Sequence, residues 1–153
     1  MEIEVKNIEE TKVAYVSVTG SYEQLPELFG EVVGYVMKDN LQVTEPPYGI
    51  YFNNPMEVPQ EELKYEIGIA FIGDADGEDR VKIKNVPAHQ AVSTIYKGPY
   101  GQAAQIYQAL VEYTMKNGYE INGAVKEIYL NNPMEVDESE LLTEVRFPVI
   151  KKS

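Results

Sequence analysis

Glu127 and Tyr129, two residues apart in Val125-Lys126-Glu127-Ile128-Tyr129, have more chemistry open to them than any other pair in this sequence. If the segment is a β-strand, alternation places Val125, Glu127 and Tyr129 on one face and Lys126 and Ile128 on the other. A carboxylate beside a phenol ring can hold an organic cation, or it can orient a water and accept its proton as a general base. Both roles need shelter from bulk water. Desolvation raises the pKa of a carboxyl group, and an arriving cation lowers it again. The plainer alternative is a solvated strand residue, or an ion-pair partner for Lys126 or Arg146.

The aromatic supply suits the cation role. The chain has 12 Tyr, 4 Phe and no Trp, and Tyr15, Tyr51, Tyr65, Tyr96 and Tyr129 all fall in strand-like segments. Each tyrosine alone is accounted for by strand packing, because its ring is apolar and its strand propensity high. The group is more suggestive than its members. Other chemistries find little support. His89 is the only histidine and has no nucleophile beside it, and the chain has no cysteine. No phosphate-binding loop, dinucleotide fingerprint, zinc spacing or nucleophile elbow occurs, so neither metal nor cofactor is expected. The acidic run 137–140 lacks the spacing of a calcium loop.

What must position Glu127 is half of an internal duplication. Sliding the chain by 78 positions aligns residues 3–72 with 81–150, and 21 of the 70 pairs are identical. Asn53-Asn54-Pro55-Met56-Glu57-Val58 recurs letter for letter as residues 131–136, and Lys6/Lys84, Tyr35/Tyr113 and Glu66/Glu144 also match. A repeat of this kind dictates architecture before any local signal does. Where the second copy has Glu127, the first has Gly49. Around the copied hexapeptide the copies keep the scaffold, and position 127 puts an acid where the first copy has glycine.

Each copy reads as strand, strand, helix, strand, strand. Residues 3–7 and 81–85 alternate apolar and polar, and 13–18 and 91–96 are β-branched and aromatic. Leu25, Leu28, Phe29, Val32, Val33 and Val36 form a helical stripe, matched by Ala103, Ile106, Tyr107, Leu110, Val111 and Thr114. Asn40 and Gly118 suit the left-handed residue that ends a helix. Strands are expected over 49–52, 65–72, 125–130 and 144–150, with the duplicated Asn-Asn-Pro segments as turns and a helical turn after each. Ile50/Ile128 and Phe52/Leu130 are apolar in both copies, which predicts that their face packs beneath the helices and that Glu127, Tyr129 and Tyr51 face a cleft between copies. The expected fold is therefore a single α+β domain over 1–153: tandem β-α-β-β units, an antiparallel sheet, helices on one face and a ligand cleft at the pseudo-twofold junction.

Composition narrows the partners. With 25 acidic against 13 basic residues the formal charge is −12, which argues against direct nucleic-acid binding and favours cationic ligands or basic partner surfaces. No secretory leader is recognisable at the N-terminus, and the longest apolar segments are too short to span a bilayer. A cytoplasmic protein with no membrane partner is expected.

The duplicated plan, Gly98-x-Tyr100 before the second helix, and Glu127-x-Tyr129 followed by Asn131-x-Pro133 together resemble the GyrI-like family. This is the effector-binding (BmrR-type) domain that also occurs in multidrug-responsive and AraC-type transcription regulators. The resemblance implies a cleft acid that recognises hydrophobic cations among aromatic rings, which places Glu127 in that role and Tyr51, Tyr65, Tyr129 and Phe147 as aromatic contacts. The first strand begins within a few residues of Met1, so a stand-alone member is expected, a sensor or sequestering protein. Two other readings stay open. One is a hydrolase of cyclopropane-containing electrophiles with Glu127 as base; the other is a protein-interaction module like a gyrase inhibitor, partnered by a regulator or gyrase-like protein.

Overall fold

A computed structural model describes residues 2–132 and 134–152 of the chain; Pro133, one of the expected strand stops, lies outside them. The fold is α+β with two like halves. The strands are β1 (Glu4–Ile8), β2 (Thr11–Thr19), β3 (Gln42–Val43), β4 (Tyr48–Tyr51), β5 (Lys64–Ile72), β6 (Lys82–Val86), β7 (His89–Lys97), β8 (Tyr119–Ile121), β9 (Val125–Tyr129) and β10 (Leu142–Lys151), with helices α1 (Leu25–Lys38) and α2 (Ala103–Lys116). Asn40 and Gly118 take positive φ after the helices, as their residue types suggest. The short strands β3 and β8 escaped the sequence pattern, since two or three residues are too few to show a period.

Two compact units emerge, Glu10–Pro87 around α1, and Met1–Glu9 with Ala88–Ser153 around α2. In the α1 unit β5 pairs antiparallel with β2, β4 and β3, and β6 adds to the far side of β2. In the α2 unit β10 pairs with β7, β9 and β8, and β1 adds to β7. The leading strand of each sequence copy is thus given to the other copy's sheet. Two ion pairs fix the exchange: Lys6 reaches Glu144 at 3.3 Å and Lys84 reaches Glu66 at 2.6 Å. That explains why these lysines and glutamates are identical between copies.

Helix α1 begins at Leu25-Pro26, where proline's missing N–H is harmless, and buries Leu28, Val32, Tyr35 and Val36 on one stripe. These side chains pack on Val16, Tyr65, Ile67 and Phe71 of β2 and β5. Burying each aliphatic side chain contributes roughly 1.5–3 kcal/mol, so a charge at Val32 would undo this half first. Helix α2 buries only Leu110 and Thr114. Its first two turns leave no fully buried side chain.

The duplicated hexapeptide serves the scaffold. Asn53 clamps its loop by donating to the Glu62 carbonyl at 2.9 Å and accepting from the Lys64 amide at 3.0 Å. Asn131 repeats this with Glu140 and Leu142, both at 2.9 Å. Asn54 and Asn132 each cap a turn by accepting from the amide of Met56 or Met134. Such side-chain-to-backbone bonds hold a turn that would otherwise lack partners. A single 3-10 turn follows in each copy, at Gln60–Glu62 and Glu138–Glu140.

Candidate functional site

Glu127 points from β9 toward α2. Its Oε2 accepts the hydroxyl of Tyr107, from the inner stripe of the helix, and its Oε1 accepts that of Tyr129 at 3.0 Å. The face assignment made from the sequence is therefore reversed, for the Glu127 face and not the Ile128 face lies beneath the helix. Phe52, expected under α1, is 53% exposed. The physical reason is Tyr107. A helix stripe that carries a phenol needs an acceptor beneath it, and burying apolar Ile128 says nothing about which face the helix covers.

The carboxylate is well sheltered, with Glu127 only 7% exposed. Around it stand four tyrosines. Tyr100 lies edge-on to Tyr129 at 5.5 Å between centroids, Tyr107 lies edge-on to Phe147 at 5.7 Å, and Tyr96 sits across the strands at Thr143, which is itself paired with Tyr129. Burial pushes the Glu127 carboxyl above its ordinary pKa, only partly countered by the Tyr107 and Tyr129 hydroxyls. Burial, reinforced by the Glu127 charge, also holds the Tyr96 and Tyr100 phenols up. Neither a lysine, an arginine nor the histidine supports the carboxylate among the described residues.

That deficit stands out against the other buried carboxylates. Glu66 has Lys84 at 2.6 Å and the Tyr48 hydroxyl at 2.7 Å. Glu144 has the Arg146 Nε at 2.6 Å, Ser93 at 3.0 Å and Lys6 at 3.3 Å. Burial alone would raise Glu144, but the Arg146 guanidinium, with Ser93 and Lys6, brings it below the usual carboxylate range. Two of the three have cations and the third has only phenols. A buried carboxylate without a counter-charge is costly unless something supplies one.

The remaining candidates fall elsewhere in the fold. Tyr51 and Tyr65 lie in the α1 unit with Tyr22, the three rings 5.2–6.2 Å apart, and Tyr65 donates to the Ser21 carbonyl at 2.8 Å. The Lys84 ammonium sits 4.2 Å above the Tyr15 ring, so Tyr15 helps hold the strand-exchange ion pair. Among the described residues no three His, Cys, Asp or Glu gather as metal ligands, and no helix is long and apolar enough to cross a membrane.

Residues 1–150 match the GyrI-like small molecule binding domain. The chain belongs to the GyrI-like family. A DNA gyrase inhibitor from Erwinia billingiae is 29% identical over 157 residues, covering 99% of both chains. The C-terminal domain of EcmrR is 26% identical, with a TM-score of 0.83 over 98% of each chain, while the GyrI-like chain spans 58% of EcmrR as it stands in its DNA complex. SAV2435, solved with tetraphenylphosphonium, shares the fold at a TM-score of 0.60 and 10% identity, over 98% of this chain and 94% of its own.

Three residues that the structure brings to Glu127 were not among the sequence candidates: Tyr107, Tyr100 and Thr143. For two of them a signal was present in the alignment of the copies. Phe29 becomes Tyr107, a hydroxyl gained on a buried stripe, and Tyr65 becomes Thr143, a ring lost opposite a strand neighbour. Tyr100 lay within the Gly-x-Tyr motif but was read only as a marker.

Proposed function

We propose that this GyrI-like domain captures hydrophobic organic cations at Glu127, among Tyr96, Tyr100, Tyr107, Tyr129 and Phe147, as a sensor or sequestering protein. The observation that carries the reading is the missing counter-charge: of the three buried carboxylates among the described residues, only Glu127 lacks a cation from those residues. A bound cation would supply it, return the carboxyl to its charged form and gain from the aromatic faces around it. SAV2435, which shares the fold, was solved bound to tetraphenylphosphonium, and that supports the reading. Titration calorimetry with tetraphenylphosphonium tests the reading. Glu127→Gln should weaken the cation by roughly 1–3 kcal/mol and leave neutral triphenylphosphine oxide nearly unchanged. An equal loss for both ligands would remove the carboxylate from recognition.

A second reading follows from the same carboxyl. Raised by burial and flanked by two hydroxyls, Glu127 has the environment of a general base, which suits hydrolysis of an electrophilic small molecule. Mass spectrometry after incubation with a cyclopropane electrophile should show addition of one water, lost in Glu127→Gln. No turnover above buffer would end this reading.

A further inference from the structure

On the sheet face beneath α2, Tyr96 of β7 stands opposite Thr143 of β10, and Thr143 opposite Tyr129 of β9. Tyr96 is 7% exposed and Thr143 is fully buried; their hydroxyls lie close enough for Thr143 to draw the Tyr96 phenol's pKa down, but not in good hydrogen-bond geometry, and neither has any other partner. Buried hydroxyls are nearly always satisfied, because an orphan forfeits its hydration without replacement. At the same two positions the α1 unit has Val18, which carries no polar group, and Tyr65, whose hydroxyl donates to the Ser21 carbonyl. Among the described residues, such a pair therefore occurs only in the unit that also has Glu127.

We propose that the Tyr96 and Thr143 hydroxyls are a second recognition element of this site, selecting organic cations that carry N–H groups, such as protonated amines, over quaternary onium ions. The inference rests on the cation reading above. Each Glu127 oxygen already accepts one phenol, which leaves further lone pairs on both. A quaternary cation presents only C–H groups and leaves those lone pairs and both hydroxyls as they are. A protonated amine of the same size donates to the carboxylate and to a hydroxyl oxygen together. Unpaired polar groups in a site penalise the ligand that fails to match them far more than an apolar wall penalises an extra methyl. Tyr100, the most exposed ring of the group, lies over Tyr129 at the outer side of this row.

The test compares 4-phenylbenzyl-dimethylammonium with its trimethyl analogue by calorimetry at pH 7, using the full chain and the Tyr96→Phe/Thr143→Val double variant. The wild type should prefer the N–H cation by about five- to tenfold, the scale of one net hydrogen bond. In the double variant that preference, read as the ratio of the two affinities, should vanish. Equal affinity of the wild type for both cations would overturn the proposal and leave the cation reading standing. A preference that survives in the double variant would overturn it too. Binding of neither cation would end both. A thermal melt adds an independent check: losing hydroxyls without partners should not lower Tm, and a clear drop would mean they already bond within the fold.

Discussion

Under α1, position 49 is glycine and the Tyr51 ring lies directly on it; under α2, the same position is Glu127 and the matching Tyr129 has become its hydrogen-bond donor. A Cβ at Gly49 would stand 2.6 Å from the Tyr51 hydroxyl oxygen, so the ring occupies the space a side chain would need. Around this swap the neighbours change in concert: Phe29 to Tyr107, Val18 to Tyr96, Tyr65 to Thr143, Ile69 to Phe147. The α1 unit fills the region with rings packed on one another. The α2 unit lines it with hydroxyls around a charge. The opposite sheet face shows the reverse pattern, in which function is conserved and parts are exchanged. Tyr48 lies over Gly68 and donates to Glu66, whereas Arg146 replaces that glycine and itself donates to Glu144. One backbone plan thus supports a closed core in one half and an ionisable site in the other.

The sharpest way to break the comparison is at the paired carboxylates. Glu144→Gln removes the carboxylate to which the Arg146 guanidinium, 10% exposed, donates, and removing one member of such a buried pair costs about 3–5 kcal/mol. Glu66→Gln should cost about 1–2 kcal/mol, because Lys84, 37% exposed, can turn to water. Urea unfolding at pH 7 measures both. Glu144 has its folded pKa below the ordinary value, so its contribution is present above the usual carboxylate range and is lost as pH falls through the folded value. The gap between wild type and Glu144→Gln should close in acid. A gap unchanged at pH 3 would mean that packing, not charge, links β10 to its neighbours.

A smaller effect tests whether the halves are one scaffold with different fillings. Gly49→Ala forces the Tyr51 ring aside and should destabilise by about 1–3 kcal/mol. Gly49→Glu should cost more, and Phe29→Tyr in the same chain should return about 1 kcal/mol by rebuilding the Tyr107 contact. A double-mutant cycle reads the coupling directly. Additive costs would show that the α1 unit cannot seat a carboxylate even with its donor in place.

These contrasts also show what a sequence makes visible. The duplication exposed the strand order, the helix stripes and the odd residue at 127, because period and identity are local properties of the chain. Strand exchange was hidden: Lys6 and Lys84 match each other, but nothing along the chain says that each pairs with the glutamate of the other copy. The helix-facing side does not follow from apolar Ile128, because the phenol of Tyr107 and its acceptor Glu127 decide it. Amphipathic side chains belong to a core or to a site according to what lies opposite them, and that is a tertiary fact. Thr143 looked inert for the same reason, as its hydroxyl matters only through the missing partner.

The smallest effect has the most diagnostic sign. Glu127 has its folded pKa above the ordinary value, so the folded state holds the proton longer than the unfolded one, and stability falls as pH rises from the usual carboxylate range through the folded value. Glu127→Gln removes that decline. The variant should match the wild type near pH 4 and exceed it near pH 8, by up to about 1 kcal/mol, the reverse of Glu144→Gln. A saturating hydrophobic cation should invert the order. It binds the wild type more tightly and so stabilises it more than the variant, and the gain grows with ligand concentration over Kd. Denaturation at pH 8 with and without tetraphenylphosphonium separates the possibilities. If the variant is less stable than the wild type without any cation, then the phenols alone satisfy the carboxylate, and the contrast between the two halves reflects packing rather than a charge held ready for a ligand.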